Sequence, residues 1–154
     1  MKKVLFVCLG NICRSPAAEG VFRQLIEKEG LLNEFQVDSC GTSGLHAGEM
    51  ADKRMREAAI KRGFKLNSIS RGLEDKDLIE FDIILAMDDS NFNNILKSPS
   101  AEEFSYKVKK MCDFVHELPF TEVPDPYYGG EQGFETVLDI LEEGSKNLLI
   151  ELNK

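Results

Sequence analysis

The chain reads as an α/β protein built on a parallel sheet. Three features predict this: strand-sized apolar runs alternate with helical segments, no repeat or low-complexity stretch breaks the alternation, and the first strand runs into a Gly-Asn turn that opens a helix. At 154 residues the chain is expected to form one domain, residues 1–154, large enough to bury a core.

Lys3 to Leu9 has the apolar continuity of a buried strand. A helix follows, with Ser15 placed as N-cap and Pro16 at the first helical position, where a missing N–H costs nothing. Ala18, Val21, Phe22, Leu25 and Ile26 share one face, and Gly30 is a natural stop. Phe35 to Cys40 predicts a second strand and Met50 to Arg62 a second helix. Phe81 to Met87 is a third strand, followed by a short helix through Phe92 and Leu96. Tyr106 to Met111 is assigned as the fourth strand. A loop bearing Pro119, Pro124 and Pro126 leads to a last helix whose inner stripe is Phe134, Val137, Leu138, Leu141, Leu148 and Leu152. In such sheets ligands bind beyond the carboxyl ends of the strands, where Cys8 falls.

A formal charge of −8 argues against nucleic acid or an anionic membrane as partner. The apolar runs are strand-sized, too short to span a bilayer, and the N-terminal run is too soon interrupted for a signal peptide. A cytoplasmic protein is the expectation. Four cysteines, at 8, 13, 40 and 112, are too scattered for a disulfide scaffold. Cys8 and Cys13 with Cys112 and His116 nominally offer four zinc ligands. Arg14 beside Cys13, Cys8 at the end of a buried strand and the long separation of the two halves speak against that site.

The segment with most chemistry is Cys8-Leu-Gly-Asn-Ile-Cys-Arg14-Ser15. A phosphate dianion needs convergent N–H donors and fixed positive charge, and a loop from strand end to helix N-terminus supplies both. Gly10 and Asn11 are expected to take left-handed backbone conformations that turn amides inward. The Arg14 guanidinium can grip two phosphoryl oxygens at once. Thiols beside a helix N-terminus and an arginine ionise readily, so Cys8 is the expected nucleophile, without a separate base. Ser15 is placed to donate a hydrogen bond to the sulfur.

Expelling an alkoxide or phenoxide from phosphorus requires a proton donor, and hydrolysing the resulting intermediate requires a base. Asp125, in Val123-Pro-Asp-Pro-Tyr-Tyr128, suits both roles. Pro126 biases Asp125 toward an extended conformation and Pro124 stiffens the other side. Tyr127 and Tyr128 can wall a cleft and stack on an aromatic leaving group. Pro-Asp-Pro is also an ordinary surface turn, so the assignment rests on its combination with the Cys8 loop.

Together these segments resemble the low-molecular-weight protein tyrosine phosphatases. Val7 to Pro16 matches the family's V-C-x-G-N-x-C-R-S-P, and Asp125 to Tyr127 its D-P-Y. Asp38 to Thr42 is similar to its D-S-A-G-T, with Cys40 for alanine, and Met87 to Asn91 to its M-D-x-S-N. The resemblance implies a flavodoxin-like fold with a four-stranded parallel sheet flanked by helices on both faces, and no metal or organic cofactor. It implies a two-step mechanism through a cysteinyl-phosphate, with Cys8, Arg14 and Asp125 catalytic.

On the same basis Leu9, Gly10, Asn11, Ile12, Cys13 and Ser15 contact substrate, with Leu45, His46, Tyr127 and Tyr128 at the rim. Ser39 and Asp88 support the loop. Ile12 is typical of the tyrosine-directed branch, where the related arginine phosphatases carry threonine. The related arsenate reductases carry a further cysteine pair after the third strand, and Asp82 to Ser90 contains none. The expected partner is a phosphotyrosine protein or a small phosphate monoester, met by a monomer. The family pairs a neighbouring thiol with its nucleophile in a reversible disulfide, which would give Cys13 that role; packing behind the loop is the other reading. The competing classes are a phosphate-binding module, which needs neither nucleophile nor acid, and a redox protein, which would favour C-x-x-C. His116 and the pairs Glu102-Glu103 and Glu142-Glu143 read as solvated surface.

Overall fold

The computed structural model describes residues 1–154 throughout. Its elements in order are β1 (Lys2–Cys8), α1 (Arg14–Lys28), β2 (Phe35–Gly41), α2 (Lys53–Lys61), α3 (Asp75–Glu80), β3 (Ile83–Ala86), α4 (Asp89–Ile95), α5 (Ala101–Phe104), β4 (Val108–Lys110) and α6 (Glu131–Leu152). The four strands form one parallel sheet in the order β2-β1-β3-β4. This is the expected flavodoxin-like arrangement.

Because successive strand residues face opposite ways, β1 feeds two cores. Val4, Phe6 and Cys8 pack with residues of α1, α2 and α6, while Leu5 and Val7 pack with Leu78, Phe81, Ile84 and Ile95 on the other side. Both faces are therefore covered, and β1 is continuously apolar. Phe22 joins the first core edge-on to both Phe6 and Phe35, at 5.8 and 5.7 Å between ring centroids. Cys8 pairs with Gly41 of β2, and Val7 with Ala86 of β3. The chain leaves β1 for β2 on one side and reaches β3 on the other. The crevice at that switch point opens at Cys8.

Several boundaries differ from the sequence reading, each for a local reason. Helix α1 begins at Arg14, with Cys13 at the cap position and no side-chain cap bond. Ser15 is thus inside the first turn, and its hydroxyl turns to the sulfur of Cys8 instead of capping the helix. Pro16 is still harmless, since first-turn N–H groups have no intrahelical acceptor. Helix α2 starts three residues later than Met50: Asp52 caps it by accepting from the Arg54 and Met55 N–H groups, while Met50 bridges to Ile69. Helix α3 was not foreseen; it is a six-residue turn closed by reciprocal bonds between Glu74 and Asp77. The fourth strand shrinks to three residues.

Glu142 and Glu143 are not simply solvated. Glu142 pairs with Arg62 at 2.6 Å, joining α6 to the residue that ends α2. Glu143 accepts the successive N–H groups of His116, Glu117 and Leu118 at 2.5, 2.9 and 3.0 Å. Burial opposes its ionisation, but these donors outweigh burial and hold its carboxyl below the usual range.

Candidate active site

The loop between β1 and α1 is built from its carbonyls outward. Leu9, Asn11 and Ile12 carbonyls accept from the Ser43 N–H, the Ser70 hydroxyl and the Asp52 N–H. All peptides are trans, so the following N–H groups, those of Gly10, Ile12 and Cys13, point away from these acceptors. They face the inner side of the loop, where the Asn11 N–H already reaches Cys8 Sγ at 3.3 Å.

Asn11 has φ 57° and is the only non-glycine residue with positive φ. Its side chain explains how the conformation is held. The amide nitrogen donates to Ser15 Oγ at 2.7 Å and Ser39 Oγ at 3.0 Å, and the amide oxygen accepts from the Arg71 N–H at 3.1 Å. Gly10 does not share the left-handed conformation, contrary to expectation. The glycine instead leaves room for the His46 ring, which a Cβ would meet at 2.9 Å and push aside. Gly41 is under the same pressure: a Cβ would lie 2.7 Å from the Leu9 carbonyl and 2.8 Å from that of Ser43.

A hydrogen-bond chain runs behind the sulfur. Ser39 donates to the buried Glu19 carboxylate at 2.7 Å, and that carboxylate also pairs with Arg23 at 2.8 Å. Ser39 then accepts from Asn11, Asn11 donates to Ser15, and Ser15 Oγ lies 3.0 Å from Cys8 Sγ. With Asn11 donating to it, Ser15 can give its own proton to either of two acceptors, the Cys8 sulfur at 3.0 Å or the more distant Cys40 carbonyl at 3.3 Å.

Arg14 is only 2% exposed. Its Nη1 donates to Asp88 at 2.6 Å and to the Val123 carbonyl at 3.1 Å, which aims the fork. Asp88 is fixed in turn as the cap of α4, accepting from Asn91 at 2.8 Å. Arg14 Nη2 remains toward Asp125, 3.7 Å from its Oδ2.

Cys8, Leu9, Gly10, Ile12, Cys13, Arg14, Leu45, His46, Asp125, Tyr127 and Tyr128 line one cleft of about 190 Å3, and Ser43 joins them. Asn11, Ser15 and Ser39 lie beneath it, and Asp88 behind Arg14. His46 sits over Gly10 with its Nδ1 2.9 Å from Glu49. Tyr127 and Tyr128 meet edge to face at 5.0 Å, and Tyr128 is 94% exposed, leaving its ring free to cover a ligand. Cys13 is buried, and burial followed by the Asp52 carboxylate pushes its thiol far above the usual range. All four cysteines are free thiols. No three His, Cys, Asp or Glu side chains are gathered as metal ligands; the Cys8 sulfur is engaged by Ser15 and Asn11 instead.

Ser70, Arg71, Glu19 and Ser43 escaped the sequence reading. Arg71 bridges Asp38 at 3.0 Å and buried Asp77 at 3.0 Å, which locks the segment that supports Asn11. A serine or arginine in a loop some sixty residues away carries no local signal of such a role.

The fold and the loop define a class: α/β proteins that cradle an anion between a strand end and a helix N-terminus, over a cysteine. Within it, the chain belongs to the low molecular weight phosphotyrosine protein phosphatase family, whose model matches residues 3–154. A protein tyrosine phosphatase of Entamoeba histolytica, solved with Hepes in its active site, superposes with a TM-score of 0.96 at 48% identity, covering 99% of this chain and 97% of that one. The low molecular weight protein-tyrosine-phosphatase YfkJ of Bacillus subtilis is 38% identical over all of this chain and 97% of its own length. The arginine phosphatase YwlE, a Bacillus subtilis protein, shares the fold at TM-score 0.86 but is 29% identical, over 99% of this chain and 96% of that one.

Proposed function

We propose that the protein hydrolyses phosphotyrosine in proteins, and small aryl phosphates, through a cysteinyl-phosphate on Cys8. The observation that carries the proposal is the convergence of a nucleophile, a fixed cation and a carboxyl group in one cleft: Cys8 and Arg14 on one loop, with Asp125 3.7 Å from Arg14.

In the first step the phosphoryl group lies on the loop amides and the Arg14 guanidinium, and Cys8 Sγ attacks phosphorus. The P–O ester bond breaks toward the leaving oxygen, which takes its proton from Asp125. In the second step Asp125 removes a proton from water as its oxygen attacks phosphorus. The S–P bond breaks, and the Ser15 hydroxyl stabilises the departing thiolate. Arg14 and the amides are set before reaction begins, so charge building on the equatorial oxygens meets donors already in place.

Ile12 in the loop and the higher identity to tyrosine-directed relatives support phosphotyrosine over phosphoarginine. Tyr127 and Tyr128 offer an aromatic wall for the phenol ring. The test compares phosphate release in EDTA from phosphotyrosine and phosphoarginine peptides of one sequence. The proposal predicts turnover of the first at least tenfold above the second; the reverse order would overturn the substrate assignment.

A further inference from the structure

Residues 124–130 carry Asp125 and Tyr127 across the mouth of the cleft. Hydrogen bonds inside this segment are local: the Tyr127 N–H donates to Asp125 Oδ1 at 3.1 Å and the Gly129 N–H to the Pro126 carbonyl at 3.0 Å. Apart from the Gly133 N–H bond to the Gly130 carbonyl at the start of α6 and the 3.7 Å ion pair of Asp125 with Arg14, one hydrogen bond ties the segment to the rest of the chain, from Arg54 Nη2 to the Tyr127 carbonyl at 2.9 Å. The Arg54 guanidinium also lies 5.3 Å from the Tyr127 ring centroid and 4.9 Å from that of Phe134 in α6.

Arg54 is itself held in place. Asp52 Oδ1 accepts from its Nε at 3.2 Å and Oδ2 from its Nη2 at 3.1 Å. The Asp52 N–H in turn donates to the Ile12 carbonyl of the nucleophile loop at 2.7 Å. An unbroken path therefore runs from the loop that holds the phosphate, through Asp52 and Arg54, to the carbonyl two residues beyond Asp125.

We propose that Arg54 is a positioning residue for the proton-donating carboxyl: with Asp52 it sets the height of Asp125 above Cys8. Arg54 needs no contact with substrate for this. Its planar fork serves Asp52 and the Tyr127 carbonyl together, which a lysine ammonium would reproduce only in part. Misplacement of a proton donor by about 1 Å costs as much as 100-fold in rate. The cost falls on leaving groups that need the proton.

The inference rests on the phosphatase reading above, and the test separates the two. Aryl phosphates of graded phenol basicity are hydrolysed by wild type, Arg54→Met, Arg54→Lys and Asp125→Asn proteins whose folding is checked by circular dichroism. The expected result is a loss of about 10- to 100-fold for Arg54→Met on phenyl phosphate, shrinking as the phenol becomes more acidic, with a smaller loss for Arg54→Lys. In the Asp125→Asn background, Arg54→Met is expected to remove almost nothing further. An equal loss across all leaving groups, full additivity with Asp125→Asn, or no loss would overturn the inference while leaving the phosphatase reading intact. Failure of wild type to hydrolyse any of the series would instead overturn that reading.

Discussion

The hydroxyl of Ser15 lies 3.0 Å from the sulfur of Cys8, and the Asn11 amide occupies its acceptor side at 2.7 Å. The Ser15 proton then has two acceptors within reach, the sulfur and the Cys40 carbonyl at 3.3 Å, and a thiolate sulfur is the nearer and the more strongly charged. Ser15→Ala is expected to lower kcat by about 100-fold, the usual cost of one preorganised donor to developing negative charge. KM should change little, since the hydroxyl lies under the sulfur and not on the phosphate. A parallel rise in KM measured by steady-state kinetics would contradict this role.

Asp125→Asn retains the Tyr127 N–H bond but removes the transferable proton. Its kcat on phenyl phosphate should fall by about 100-fold or more. The fall in rate with rising pH that reports loss of the donor's proton should disappear with it. A pH profile unchanged from wild type would place the acid elsewhere.

Gly41→Ala drives a Cβ against two backbone carbonyls, neither of which can swing aside. Overpacking of this kind costs about 1–3 kcal/mol, readable as a lower denaturation midpoint. Because the Leu9 carbonyl belongs to the nucleophile loop, activity should fall along with stability.

Glu143 gives a prediction in pH. Three N–H groups hold its carboxyl below the usual range in the folded state. A lowered folded pKa contributes stability that is present above the unfolded value and lost as pH falls through the folded one. Glu143→Gln should therefore be less stable than wild type near neutral pH, by about 0.5–1 kcal/mol once solvent screening of this accessible carboxylate is counted. The gap should close below about pH 4. A gap independent of pH in chemical denaturation would contradict it.

The alternation of strands and helices and the nucleophile loop were legible because their signals are local. A continuous apolar strand, a Gly-Asn turn, a proline in the first helical turn and Pro-Asp-Pro each report on their own neighbourhood. The structure places Cys8, Arg14, Asp125 and the rim residues around one cleft. What lay hidden is mostly long-range. Ser70 and Arg71 support Asn11 across some sixty residues, and Glu143 binds a loop more than twenty residues earlier. Helix α3 is shorter than two turns, so no apolar periodicity announces it. Gly10 was predicted for the wrong reason: its absent side chain makes room for His46 and does not serve a left-handed turn.

The most direct test of the account is to trap its intermediate. Wild type and Cys8→Ala proteins are mixed with an excess of para-nitrophenyl phosphate in EDTA, quenched in acid within the first turnovers, and analysed by intact mass and peptide mapping. The account predicts one added phosphoryl group on the peptide carrying Cys8 in the wild type and none in the variant, together with loss of turnover. Steady hydrolysis by Cys8→Ala, or a phosphoryl group mapped to another residue in the wild type, would contradict it.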